Sequence, residues 1–314
     1  MGSRNYGLGS RDMDRAGRAA LTAAREQGDM SHGTVDATAQ RWSQFVSYIR
    51  EQHGIRRMEH IRAEHVRAYA ASLRDAGSAA KTQQNKISAI NTVMHAAAGD
   101  QWQAVRPVAD AGCDRATEVR TQAPAMTDRA AWSEALGAVR EAHGDRAAAV
   151  AELSRELGLR AREASLGSPR DWAQQLRHGD TIRVESGTKG GRPRDLQITS
   201  ASQREAIERA AQVQGQGDRS MIPPDQTYAQ WKGDTLREIA RTLQPHTGEN
   251  RPIHSLRASY AAERYQALTG SRAPAVAGAR EADREADRAA RDRIAAELGH
   301  GRRDVAAAYV GGAK

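Results

Sequence analysis

Hydrophobic residues recur at helical spacing through two long stretches of the chain and alternate over one short one. Val35, Ala39, Trp42, Phe45, Val46 and Ile49 share one face at a period of 3.6, with Ser31 or Thr34 able to cap the helix and Gly54 to end it. Ile61, Val66, Tyr69, Ala70 and Leu73 predict a second helix stopping at Gly77, and Ile87, Ile90, Val93, Met94 and Ala97 a third stopping at Gly99. From Ala104 to Pro124 the pattern lapses into Pro, Gly, Arg and Thr, which reads as a linker. It restarts at Thr127 or Asp128 with a helix bearing Trp132, Leu136 and Val139, and another from Asp145 toward Gly158. Thr181 to Glu185 and Asp195 to Ile198 alternate as strands do, with Gly187, Gly190 and Gly191 supplying the turn that carries Lys189. Helices follow over Thr235 to Leu243 and His254 to Leu268.

The expected architecture is mainly α. A small all-helical domain over 31–103 and a linker over 104–124 lead to a mixed α+β, mostly helical domain over 125–314 with a small antiparallel sheet. Residues 1–30, rich in Arg, Ala, Gly and Asp, read as a mobile basic arm with one short helix over Arg15 to Glu26. The run Glu281 to Arg293, EADREADRAARDR, sets acid and base at i, i+3 and i+4 and predicts a solvated helix laced with ion pairs.

Composition narrows the class. With 39% hydrophobic and 27% charged residues a folded protein is expected, and 314 residues suit two domains. Aromatics are 4% with a single Phe, Phe45, so the cores must be built from Leu, Ile, Val and Ala. A net charge of +8 suits a polyanion partner. Yet the only lysines are Lys81, Lys86, Lys189, Lys232 and Lys314, and a bias toward Arg, Ala and Gly also follows from a GC-rich genome. Cys113 is the sole cysteine, which excludes an intramolecular disulfide and a cysteine-based zinc site and suits a reducing cytoplasm. With no apolar run of about 18 residues and no apolar signal core, a soluble intracellular protein is expected. Lys81, Thr82, Gln83, Gln84, Asn85 and Lys86 open the third helix with a basic, polar face that can donate to phosphates or base edges. The same face reads equally well as solvated surface.

Four short features of the second block carry together a chemistry that none carries alone: GLRARE around Arg160, GTKGG around Lys189, HSLR from His254 to Arg257, and LGH ending at His300 followed by Tyr309. Two guanidiniums, Arg160 and Arg257, can each clamp phosphate oxygens bidentately and stabilise the charge of a pentavalent transition state. His254 adds a donor on the same helix face as Arg257, three residues on. A lysine on a flexible hairpin can give a proton to a leaving oxygen. Taken singly, HxLR is more often a surface pair around a buried Leu, and a lysine beside glycines a turn residue.

In this order the motifs resemble the tyrosine recombinase (phage integrase) family, over nearly the whole chain. The resemblance implies Arg160 as the first catalytic arginine with Glu163 as its acidic companion, Lys189 as the hairpin lysine, His254, Arg257 and His300 as further catalytic groups, and Tyr309 as nucleophile. It implies that the helical block over 31–103 is a SAM-like core DNA-binding domain ahead of a catalytic domain over 125–314. It further implies cleavage and rejoining of double-stranded DNA through a 3′-phosphotyrosyl intermediate, with no metal or other cofactor. The working unit would be a homo-tetramer on paired sites, integrating or excising a mobile element with accessory DNA-bending or directionality proteins, in a prokaryotic, nucleoid-associated setting. Ala258 departs from the family's frequent HxLRH, and the stretch from Arg257 to His300 is longer than usual. Tyr260 and Tyr265 read as packing residues and Tyr228 lies in a Pro-rich loop. The competing readings are a type IB topoisomerase or telomere resolvase of the same chemistry, a non-catalytic DNA-binding protein on the same scaffold, and an RNA-binding protein. The last would need aromatic platforms that the chain is poor in.

Overall fold

Two compact units make up the chain in the computed structural model, which describes residues 4–30 and 32–312. They are Met1–Thr117 and Glu118–Lys314. Among the described residues no helix is long and apolar enough to cross a membrane.

The first unit holds four helices: α1 (Met13–Glu26), α2 (His32–His53), α3 (Ala63–Asp75) and α4 (Ala80–Ala98). The last three are those the hydrophobic periodicity predicts, and the stripe from Ala39 through Trp42, Phe45 and Val46 to Ile49 is wholly buried. Ser31, one of the two capping residues considered, lies outside the described residues. The arm expected over 1–30 is corrected by the structure. Asp12 caps α1 by accepting from the Arg15 backbone N–H at 3.0 Å, and Met13, Ala16, Ala20 and Leu21 form a buried stripe at helical spacing. Gly17 makes the docking possible: a Cβ there would stand 2.2 Å from the Trp42 indole nitrogen, which itself donates to the Met13 carbonyl at 3.0 Å. The expected linker is corrected at its start as well. Val105, Ala111 and Cys113 are buried in this core, and the Asn91 amide exchanges hydrogen bonds with the Val105 backbone.

The second unit opens with α5 (Arg129–Glu156), capped by Asp128 and interrupted at Gly144, whose φ of 82° leaves the helical region. The two helices predicted over this stretch are its two halves. Two short helices follow, α6 (Ala161–Leu166) and α7 (Pro169–Gln175), and then an antiparallel pair, β1 (Thr181–Val184) and β2 (Arg194–Gln197), in which Ile182 faces Leu196. Beyond them come α8 (Ala201–Val213), α9 (Tyr228–Gly233), α10 (Thr235–Thr247), α11 (Pro252–Thr269), α12 (Pro274–Ala277), α13 (Arg284–Glu297) and α14 (Ala307–Val310). The protein is thus mainly helical with one small antiparallel sheet, as the pattern predicts.

The solvated helix expected at 281–293 is corrected in part. Asp287, Ala290 and Arg291 of α13 are buried with Ile294 and Ala295, because α13 packs on α11 and turns one charged edge inward. A strict i, i+4 alternation of charge does not reveal which edge that is.

Candidate active site

GLRARE folds as the start of α6. Gly158 sits at φ 62° with no room for a side chain, since a Cβ would stand 2.5 Å from the Tyr260 ring. Arg160 is the N-cap of α6, and Glu163 at its third position reaches back to the Arg160 backbone N–H at 2.8 Å, a capping box with glutamate in its usual place. Glu163 is fully buried and accepts from two guanidiniums, Arg160 Nη1 at 2.7 Å and Arg194 Nη1 and Nη2 at 2.9 Å each, and forms an ion pair with Arg257 Nη1 at 3.6 Å. Burial by itself pushes its pKa up. The hydrogen bonds and charges of Arg194 and Arg160 outweigh this and hold the carboxyl at about 2.

Arg257 rises from α11 into the same cluster and is fully buried. It donates to the Gly158 carbonyl and, at 3.0 Å, to the Leu298 carbonyl, while its Nε has no hydrogen-bond partner among the described residues. Burial lowers its pKa to about 10, so it stays cationic at neutral pH. Three guanidiniums around one carboxylate leave excess positive charge facing the last segment of the chain.

That segment supplies Tyr309 from α14, buried, with its ring 5.6 Å from the Arg257 guanidinium carbon. Its hydroxyl lies 3.1 Å from His300 Nε2, and Arg160 Nη2 lies 3.4 Å from the same nitrogen. Burial, then Arg160, Arg257, Lys189 and Arg194, lower the His300 pKa to about 4. The ring is therefore neutral at physiological pH and can accept the phenol proton. His254, three residues before Arg257 on α11, is exposed along one edge, and its ring centroid stands 5.7 Å from that of Tyr309. Loss of water on its packed side, then Arg257, Arg251, Arg160 and His300, lower its pKa to about 4.

The structure therefore brings Arg160, Glu163, His254, Arg257, His300 and Tyr309 together. Lys189 is not packed among them: it is exposed on the turn between β1 and β2, and its charge is felt at His300. The other tyrosines of this unit are spoken for. Tyr260 donates to Glu297 and Tyr265 to Asp287, both at 2.8 Å and buried, and Tyr228 lies under Arg162. Sequence reasoning missed Arg194, which pairs with both oxygens of Glu163 and donates from Nε to the Glu297 carbonyl at 2.7 Å. In GGRPRD it is indistinguishable from Arg192; inward alternation from Leu196 was the signal available.

In the first unit Gln83 is corrected as a DNA-contact candidate. It is buried at the start of α4, donates to the Ser78 carbonyl at 2.7 Å and to Asp114 at 2.9 Å, and accepts from the Asp114 backbone. Lys81 and Thr82 are exposed, Asn85 is half-buried, and the half-buried Lys86 lies 5.9 Å from the Tyr69 ring centroid.

Comparison with known proteins follows the same lines. The sequence profile described as phage integrase, N-terminal SAM-like domain, matches residues 22–100, and the one described as integrase matches 118–263, which takes in Arg160, Glu163, Lys189, His254 and Arg257. No curated protein matches the sequence. Among solved structures, the Tn1549 transposon integrase in complex with transposon right end DNA is similar at a TM-score of 0.62 and 12% identity, over 95% of each chain. The same integrase in complex with a circular intermediate DNA gives 0.57 and 12%, over 95% of this chain and 96% of that one. At that identity the likeness speaks for the fold. With both halves matched by profiles of one kind, on a fold of the same kind and with the motifs in family order, the chain belongs to the tyrosine recombinase (phage integrase) family.

Proposed function

We propose that this protein cleaves and rejoins double-stranded DNA at the ends of a mobile element, through a covalent 3′-phosphotyrosyl link at Tyr309. The observation that carries the reading is the Tyr309 hydroxyl 3.1 Å from a neutral His300 Nε2, beside a surplus of guanidinium charge.

The Tyr309 oxygen attacks phosphorus, its proton passes to His300 Nε2, and the bond from phosphorus to the 5′ oxygen breaks. Arg160 and Arg257, the latter with an unused Nε–H, stabilise the charge that builds on the non-bridging oxygens, and His254 adds a donor from the exposed side. Arrival of the phosphate opposes the positive field that depresses both histidines, so their pKa values rise on binding and His300 becomes a better base. Lys189, unburied on its hairpin, swings to the departing 5′ oxygen and gives it a proton. Rejoining reverses each step, with a free 5′-hydroxyl displacing Tyr309. The likeness to an integrase solved with transposon-end and circular-intermediate DNA supports DNA as substrate and a mobile element as its source. A homo-tetramer on two paired sites is the assembly this exchange calls for.

The test is a nicked DNA carrying the element's own end, incubated with the wild-type chain and with Tyr309→Phe. A denaturant-stable adduct on the 3′ side of the break in wild type alone is expected. Tight binding to that DNA with no adduct would overturn the reading in favour of a DNA-binding protein that does no chemistry.

A further inference from the structure

We infer that Arg291 is a positioning residue that latches the chain immediately beyond Tyr309 and so keeps the tyrosine hydroxyl in the arginine cluster. The inference rests on the reading of Tyr309 as nucleophile.

Arg291 and Asp287 are only 4% and 5% exposed, although they belong to the run of alternating charge whose simplest reading is a solvated helix. Every nitrogen of the Arg291 guanidinium is engaged. Nε donates to both Asp287 oxygens at 2.9 and 3.0 Å, Nη1 to the Gly311 carbonyl at 2.8 Å, and Nη2 to the Gly312 carbonyl at 3.0 Å. A planar fork with donors in fixed directions suits two successive carbonyls and a carboxylate at once, which a lysine ammonium cannot match. Asp287 is anchored in turn by the buried Tyr265 hydroxyl at 2.8 Å. Tyr265 lies on α11, the helix that carries His254 and Arg257. One chain of hydrogen bonds therefore runs from α11 through α13 to the residues that follow the nucleophile.

Other contacts show that the segment is held rather than merely resting. The Arg120 backbone N–H donates to the Ala307 carbonyl at 2.9 Å, ahead of Tyr309. Behind it Gly311 sits at φ 94°, where a Cβ would stand 2.5 Å from the Ala275 nitrogen. α14 itself is a single turn, Ala307–Val310, too short to fix a side chain by its own hydrogen bonds. A buried ion pair is weak evidence for stability; the geometry is set by the remaining donors of Arg291, which hold the backbone next to the reacting group.

The experiment uses the full chain with fluorotyrosine placed at position 309, read by fluorine NMR without DNA, together with adduct formation on nicked DNA and DNA affinity. Arg291→Lys keeps the charge opposite Asp287 and loses the fork. The double variant D287N/R291M removes both buried charges, so a fold lost for want of a counter-ion is avoided. In each the fluorine signal should shift and narrow, and the adduct should form about ten- to a hundred-fold more slowly, as expected for a displaced reactive group, with DNA affinity unchanged. A signal with wild-type position and width in both variants would overturn the latch. Absence of adduct from the wild-type chain itself would instead overturn the phosphotyrosyl reading, and the fluorine signal would still decide the latch.

Discussion

The junction of α1 with α2 and the surroundings of Glu163 both bury large side chains completely, by opposite means. At the first, Trp42 lies against a glycine with one indole hydrogen bond to a backbone carbonyl, inside a shell of Met13, Leu21 and Phe45. At the second, a carboxylate is surrounded by Arg160, Arg194 and Arg257. An apolar junction loses stability in proportion to the volume and area it forfeits. A buried charge cluster fails whenever one member leaves, because the remaining charges stay desolvated without a partner. What the second arrangement provides in exchange is an excess of positive charge, held rigid before any phosphate arrives.

The comparison can be broken most easily at Glu163. Glu163→Gln should cost about 3–5 kcal/mol, the usual range for stranding a buried partner, and should also slow adduct formation, since Arg160 loses the group that sets its direction. Urea unfolding followed in the second unit measures the first effect; a loss well under that range would mean the arginines find water or each other. Trp42→Ala should cost about as much, roughly 3–5 kcal/mol for a buried aromatic, but in the first unit alone. Strand cleavage per folded, DNA-bound molecule should survive, and a matching fall in cleavage would refute the contrast. Gly17→Ala is the milder probe. One methyl forced against the Trp42 ring should cost about 1–3 kcal/mol by overpacking, seen as faster hydrogen exchange in α1 and α2.

How much of this the sequence displays follows from the same contrast. The stripes of α2, α3 and α4 repeat at 3.6 residues, and burial follows the period, so those helices and their core were legible. α1 was legible as a short helix over Arg15 to Glu26 but its docking was not, because the fit of Gly17 against Trp42 is a tertiary contact. In the second unit, Arg160, Glu163, His254, Arg257, His300 and Tyr309 were found through motif order, with no periodicity to reveal them, and the structure brings them within reach of one another. Arg194 and Arg291 escaped because the chain is rich in arginine, and only tertiary contacts separate an inward one from its neighbours. Gln83 shows the reverse failure: a polar residue on a polar face that the fold spends on a turn.

One further effect separates the two regions without a mutation. His254 and His300 have folded-state pKa values near 4 against an ordinary 6.5, so between those values the unfolded chain binds protons that the folded one does not. Their contribution is present above about pH 6.5 and is lost as pH falls through that interval, and the depressed Glu163 extends the loss from 4.5 toward 2. In the first unit burial lowers the pKa of the half-buried His65, where the site in the second unit lowers those of two histidines. Site-resolved hydrogen exchange of the full chain, corrected for intrinsic rates, should therefore show protection of α11 and α13 falling between pH 6.5 and 5 while that of α2 and α4 stays nearly level. Adding DNA should flatten the slope in the second unit, because a phosphate among the arginines raises both histidines toward their ordinary value. Equal slopes in the two units would mean that the buried charges are better solvated than their contacts indicate, and the contrast between the two cores would then rest on volume alone.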